Sequence, residues 1–359
     1  MTESSANPEH PSGSQLKSAG SVTNARPVLS CQDIVQEFHV RRRGHYHKAT
    51  VSAVAGVSFT IARGETLAVV GETGSGKSTL ARAIIRSPAP LRGQITVSGH
   101  DVTGRSVSRE TGHLVQMIFQ DPFSALDPKW TVEKIVGEPL ATRGDEAGVG
   151  RRRKVAEMLD RVGLSPSQFG LSRPHELSGG QAQRVAIARA LVSSPDLVIC
   201  DEPVTSLDVS VQAQILNLLA ELKEELSLTY LLIAHDLAVV QVLADRTATM
   251  YLGKLCEIGL TEDIFEMPAH PYTEALLSAI PPPPGEKTSR ERIRLRGEPP
   301  SPLNPPSGCR FHTRCLYAQE LCAMTEPEMR QIAPLRSVAC HFPLMMDLPD
   351  THDILLSPP

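Results

Sequence analysis

Apolar and polar positions along this chain change period several times, and each change marks an element. Val51 to Ile61 alternates as strands of a half-buried sheet do. Thr66–Val70 is a short, continuous apolar run of β-prone residues. Three later apolar runs each stop at a polar residue. Leu114–Phe119 ends at Gln120, Leu197–Cys200 at Asp201 and Glu202, and Tyr230–Ala234 at His235. Helical patterns separate these runs, so the strands are expected to be largely parallel. Trp130 to Leu140 and Arg151 to Leu164 read as helices, with Val155, Met158, Leu159 and Val162 at helical spacing. Ala182–Leu191 and Tyr272–Ile280 read as further helices.

The same pattern divides the chain. Residues 1–27 are polar and aperiodic, the signature of a disordered tail. Order is expected over 28–280, with a helical insert at about 123–177. Pro281-Pro282-Pro283-Pro284 fits neither a helix nor a central strand and sets a boundary. Residues 281–359 form a Pro-rich, strand-poor extension that carries cysteines. No internal repeat is visible.

Composition narrows the classes. Of 359 residues 41% are hydrophobic, enough for a substantial core, and the formal net charge of −4 gives no general case for nucleic-acid binding. No apolar run reaches the length of a membrane span, and the N-terminus lacks the apolar core of a signal peptide. The expected location is therefore cytoplasmic, with any membrane role carried by partner subunits.

The candidate chemistry starts at Gly71-Glu72-Thr73-Gly74-Ser75-Gly76-Lys77-Ser78-Thr79, which fits the phosphate-loop pattern. The glycines allow a tight bend that points several N–H groups at one phosphate chain. Lys77 brings positive charge to the β- and γ-phosphates, and Ser78 can place its hydroxyl on Mg²⁺. The helix that follows favours anions at its N-terminus. A second helix start, Ser178-Gly179-Gly180-Gln181, is another candidate anion site. Ligands of open parallel sheets bind beyond the carboxyl ends of the strands. Gln120, Asp201, Glu202 and His235 follow such ends, as the phosphate loop does.

In this order these residues resemble the ATPase subunits of ABC transporters, over roughly residues 28–280. The motifs that carry the resemblance are the phosphate loop, Gln120, Leu177-Ser178-Gly179-Gly180-Gln181, Asp201-Glu202-Pro203, Ser206-Leu207-Asp208 and His235. A narrower similarity is to the oligopeptide/dipeptide importer branch. It rests on the segment from Met117 to Pro128, on Tyr251-Leu252-Gly253-Lys254 with Glu257, on His270-Pro271-Tyr272-Thr273, and on the tail from Cys309 to His341.

The resemblance implies an α/β fold of the P-loop NTPase type: a RecA-like, mostly parallel sheet, an antiparallel β subdomain and a helical insert. It implies ATP and Mg²⁺ as ligands. Residues 71–79 would wrap the triphosphate, and Asp201 would hold Mg²⁺ with Ser78. Glu202 would be the general base, Gln120 would contact metal and water and relay nucleotide state, and His235 would sense the γ-phosphate. Ser178, Gly179, Gly180 and Gln181 would reach the ATP of a second ATPase subunit, with Asp208 crossing that interface. Phe38 or Tyr46 would stack on adenine. Two membrane permease subunits and an extracytoplasmic solute-binding protein complete the implied assembly. The branch also includes nickel and oligosaccharide importers. A soluble ABC protein without a transport role is the reading from another class. It is disfavoured because the acidic strand follows the phosphate loop without a long coiled coil and the chain carries one ATPase half. A scaffold with a dead ATP site is disfavoured because every catalytic position is filled.

Seven cysteines are present, and four fall late: Cys309, Cys315, Cys322 and Cys340. In a reducing compartment such a group points to a metal or cluster rather than to disulfides. Four thiolates satisfy zinc or an iron–sulfur cluster, with His312 and His341 as substitute ligands. The spacing is similar to tails of this branch that hold a [4Fe–4S] cluster. Four unligated thiols are the third reading.

Overall fold

The computed structural model describes residues 26–41, 48–104, 111–144, 148–280, 291–295 and 297–344. The expectations for residues 1–25, Tyr46 and Pro281–Pro284 lie outside the described residues.

Two sheets organise the chain. The first is antiparallel, in the order β2-β1-β4-β5, from β1 (Leu29–Arg41), β2 (Lys48–Ile61), β4 (Arg92–Val97) and β5 (His100–Asp101). The second has eight strands. They are β3 (Thr66–Val70), β6 (Val115–Ile118), β7 (Leu197–Asp201), β8 (Tyr230–Ala234), β9 (Arg246–Tyr251), β10 (Lys254–Leu260), β11 (Arg330–Ala333) and β12 (Arg336–Val338). Their order is β11-β12-β10-β9-β3-β8-β7-β6. The run from β9 through β3, β8 and β7 to β6 is parallel, as the apolar runs require.

Every residue of β3, β7 and β8 is buried. Side chains of a strand point alternately to opposite faces, and here each face has its own core. Ala68, Val198, Cys200, Tyr230 and Leu232 face the helical side. Leu67, Val69, Leu197, Ile199, Leu231 and Ile233 face the antiparallel sheet and α1 (Lys77–Ile84). Two covered faces explain why these runs do not alternate in hydrophobicity.

Between β6 and β7 lie α2 (Pro122–Ala125), α3 (Val132–Arg143), α4 (Val149–Arg161), α5 (Pro166–Phe169) and α6 (Gly179–Leu191). Val132, Ile135, Val136 and Leu140 of α3 share a core with Val155, Met158 and Leu159 of α4 and Val185 and Leu191 of α6. Then come α7 (Val209–Leu226), α8 (Leu237–Leu243), α9 (Thr261–Glu266) and α10 (Pro271–Ser278), and α11 (Glu320–Met324) lies in the extension.

The extension adds two short strands to the main sheet: β12 pairs antiparallel with β10, Glu257 opposite Val338, and β11 pairs with β12. The tail thus finishes the main sheet. It also brings its own anchor, because Phe311 is buried against Tyr251 and Tyr272, with ring centroids at 5.2 and 5.3 Å. Arg336 pairs with the fully buried Glu257 at 2.8 Å. The remaining acceptor capacity of Glu257 takes the N–H groups of Ala269 and His270, each at 2.9 Å. A buried carboxylate is tolerable only with such full pairing. The sequence pattern hides this because β11 and β12 have only four and three residues.

Candidate active site

The site forms where β3 gives way to α1. Gly76 lies in the left-handed region at φ 107°, and a Cβ there would come within 2.1 Å of the Ala53 carbonyl oxygen. Only glycine permits that approach. Lys77 then turns back into the loop. Its Nζ donates to the carbonyls of Gly71 at 2.8 Å and Glu72 at 3.0 Å, with Ser75 Oγ at 3.5 Å. Burial lowers the pKa of Lys77, against the charges of Glu202, Asp201 and Glu72, which favour the ammonium.

One residue on, Ser78 Oγ donates to Asp201 Oδ1 at 2.8 Å. Burial raises the Asp201 carboxyl, the Ser78 hydrogen bond opposes the shift, and neighbouring Glu202 adds to it. Glu202 is the hub of the outer wall. Its Oε2 accepts from Gln120 Nε2 at 3.0 Å and from Thr205 Oγ1 at 3.3 Å, and lies 3.3 Å from His235 Nδ1. Its backbone sits at φ 49°, unusual for a residue with a side chain. Such strain concentrates at functional sites.

These groups enclose a cleft of about 400 Å³, lined by Ala53, Thr73, Gly74, Gly76, Lys77, Ser78, Thr79, Gln120, Glu202 and His235. The sequence-expected residues of the phosphate loop and of three strand ends therefore meet in one place. Gly71, Glu72 and Ser75 frame the loop from behind rather than line the cleft. Ala53 and Thr205 were not expected; Ala53 has no chemical signal, and Thr205 is visible only as a hydroxyl three residues past Glu202.

Other expected residues lie elsewhere. Phe38 is partly exposed on β1 opposite Val51 and does not line the cleft. Ser178 caps α6: Gln181 N–H donates to its Oγ at 3.3 Å, and its own N–H donates to Gln181 Oε1 at 2.9 Å. A Cβ on Gly180 would meet Val211 Cγ1 at 2.7 Å, so this glycine lets α6 begin against α7. Asp208 caps α7, accepting from Ser210 Oγ at 2.8 Å and Val211 N–H at 3.1 Å. None of Ser178, Gly179, Gly180, Gln181 and Asp208 lines the cleft of its own chain.

The donors suit Mg²⁺ and a triphosphate. Ser78 Oγ and Asp201 Oδ1 are adjacent hard oxygens, and Mg²⁺ takes few protein ligands when phosphates supply others. The cysteine cluster fares differently. Among the described residues no group of three His, Cys, Asp or Glu side chains could hold a metal ion. The four late cysteines gather in one corner of the tail, where each thiol is held up by burial or raises its neighbours. Burial pushes Cys340 up to about 12. His312 Nδ1 meets the Cys309 carbonyl at 2.8 Å and His341 Nε2 the Thr325 carbonyl at 2.9 Å, so both rings are engaged by backbone. The expected iron–sulfur and zinc centres are thus not supported. The order that a metal was expected to supply comes instead from strand pairing, Phe311 and the hydrogen bond from Cys309 N–H to the Cys322 carbonyl, 2.8 Å.

Comparison with known proteins agrees with the site. The ABC transporter model matches residues 54–205, and the model for the oligopeptide/dipeptide transporter C-terminal region matches 256–322. The oligopeptide transport ATP-binding protein AppF of Bacillus subtilis is 47% identical over 323 residues, covering 89% of this chain and 98% of the relative. The chain belongs to the ABC transporter ATPases. The di/tripeptide transport ATP-binding protein DppF of Pseudomonas aeruginosa is 44% identical over 319 residues, covering 88% of this chain and 97% of that one. Among solved structures, the ATP-binding cassette MJ0796, a dimer in a post-hydrolysis state bound to ADP and Pi, is similar with a TM-score of 0.57 and 27% identity. The match covers 65% of this chain and 98% of that one. As an ABC transporter ATPase, this chain hydrolyses ATP.

Proposed function

We propose that this chain hydrolyses MgATP in the cleft to energise import of oligopeptides or dipeptides through separate membrane permease subunits. The observation that carries the chemistry is the pairing of two clusters in one cleft. Lys77 and Ser78, with Asp201 hydrogen-bonded behind Ser78, form one cluster, and Glu202 with Gln120 and His235 the other. The peptide class follows from the relatives and from the match over the extension.

Phosphoryl transfer to water depends on charge neutralisation and on a positioned nucleophile. The loop N–H groups and Lys77 hold the β- and γ-phosphates; the lysine exchanges its carbonyl contacts for phosphate oxygens. Ser78, Gln120 and Asp201 would hold Mg²⁺, which neutralises charge on the phosphates when bound. Glu202 Oε2 accepts a proton from water as the water oxygen bonds to the γ-phosphorus and the bond to ADP breaks. Gln120 and Thr205 orient that carboxylate, and His235 meets the γ-phosphate. Phe38 pairs with Val51, two residues from cleft-lining Ala53, and this nearness supports Phe38 as the residue that stacks on adenine.

Ser178, Gly179, Gly180, Gln181 and Asp208 lie outside their own chain's cleft, so they complete the ATP site of a second ATPase subunit arranged head to tail. Among the described residues no helix is long and apolar enough to cross a membrane. From the family, the proposed location is the cytoplasmic face of the membrane, through two permease subunits served by a solute-binding protein. The test is peptide uptake by vesicles that hold the assembled transporter. Uptake should require MgATP and stop with Lys77→Ala, which removes phosphate binding; uptake that survives Lys77→Ala contradicts the proposal.

A further inference from the structure

The C-terminal extension touches the phosphate loop itself. Arg314, only 8% exposed, reaches Glu72 with Nη1, at 2.8 Å from Oε2 and 3.1 Å from Oε1. The same nitrogen lies 3.4 Å from Tyr251 Oη. Glu72 is held at two more points. Its N–H donates to Tyr272 Oη at 2.7 Å, and its carbonyl accepts from Lys77 Nζ at 3.0 Å. Next to this contact, Arg310 donates to the Leu252 carbonyl, and Gly253 N–H donates to the Ser75 carbonyl at 2.7 Å. Phe311 fills the space between, against Tyr251 and Tyr272.

We propose that Arg314 is a positioning residue for the phosphate loop: by engaging Glu72, it lets the C-terminal extension set the affinity of the site for ATP. The argument has two parts. Glu72 belongs to the loop whose N–H groups must converge on phosphate, so fixing its side chain, N–H and carbonyl fixes that convergence. Glu72 also carries a negative charge beside a site for a polyanion. A guanidinium at 2.8 Å neutralises that charge and turns the carboxylate towards the tail. Arg314 does not line the cleft, so it acts only through Glu72. The proposal deepens the ATP-site reading and rests on it.

The test measures MgATP binding to the full chain by equilibrium dialysis, and ATP turnover in the assembled transporter. Arg314→Met should weaken ATP binding about tenfold and raise KM similarly while kcat changes by less than about twofold, as expected for loss of ground-state positioning. Arg314→Lys keeps the charge but not the guanidinium whose Nη1 reaches both Glu72 oxygens and Tyr251, and should fall between, at about threefold. The double variant Glu72→Gln with Arg314→Met should bind no more weakly than Arg314→Met alone, because the two residues act as one unit. ATP affinity within about twofold of wild type for both Arg314→Met and Arg314→Lys overturns the proposal, as does a double variant whose loss is the product of the single losses. If Arg314→Met does not fold, Arg314→Lys decides alone: ATP affinity within about twofold of wild type overturns the proposal. A wild-type chain that fails to bind ATP would instead remove the underlying site.

Discussion

Ser78 Oγ donates a hydrogen bond to Asp201 Oδ1 at 2.8 Å across 123 residues of sequence. It ties the first turn of α1 to the end of β7 and sets two hard oxygens side by side, as the proposed Mg²⁺ site requires. Asp201→Asn should therefore raise the Mg²⁺ concentration for half-maximal ATPase activity by about tenfold or more. Burial raises the Asp201 carboxyl, and the ion needs its charged form. As pH falls, protons should compete with Mg²⁺ starting above the range in which an ordinary aspartate titrates. A Mg²⁺ titration at several pH values checks this; a requirement that is flat with pH contradicts it.

The separation of Ser178 from its own cleft gives a second prediction. Ser178→Arg should abolish turnover while the isolated chain binds ATP within about twofold of wild type, since the phosphate loop is untouched. Wild-type turnover should also fall on dilution, as two chains separate. Weak ATP binding by isolated Ser178→Arg, or full activity at high dilution, would contradict a site shared between subunits.

A third prediction concerns stability. His270 is buried, caps α10 by accepting the Tyr272 N–H at Nδ1, and is held down to about 3 by burial. Its folded-state pKa lies below the unfolded value, so between pH 6.5 and 3 the unfolded chain binds the extra proton. The stability this provides is fully present above pH 6.5 and is lost as pH falls towards 3, on the order of 5 kcal/mol in all. His270→Asn keeps a capping acceptor but no imidazole. Its melting temperature should fall less steeply than that of wild type between pH 6.5 and 4.5; equal slopes would contradict the role.

Much of this was legible in the sequence, for identifiable reasons. The loop at 71–79 must read as it does because Gly76 passes within contact of Ala53 and Lys77 must reach back. Asp201 and Glu202 stand out because the four buried apolar residues Leu197–Cys200 of β7, and the wholly apolar β8 beside it, make any polar end conspicuous. The tail was not legible in the same way. Arg314 and Arg336 look like ordinary surface cations, and only the fold shows them paired with Glu72 and Glu257. The cysteine spacing suggested a metal because spacing records neither the backbone hydrogen bonds of Cys309 and Cys322 nor the packing of Phe311. Glu202's left-handed backbone also leaves no trace in residue order.

The account rests most on Glu202 as the base, and Glu202→Gln tests it most directly. The amide keeps the shape but cannot take the water's proton. In the assembled transporter, single-turnover ATP hydrolysis should fall by about 10²–10⁴-fold while ATP binding stays within about twofold of wild type. Hydrolysis within about tenfold of wild type would contradict the central claim.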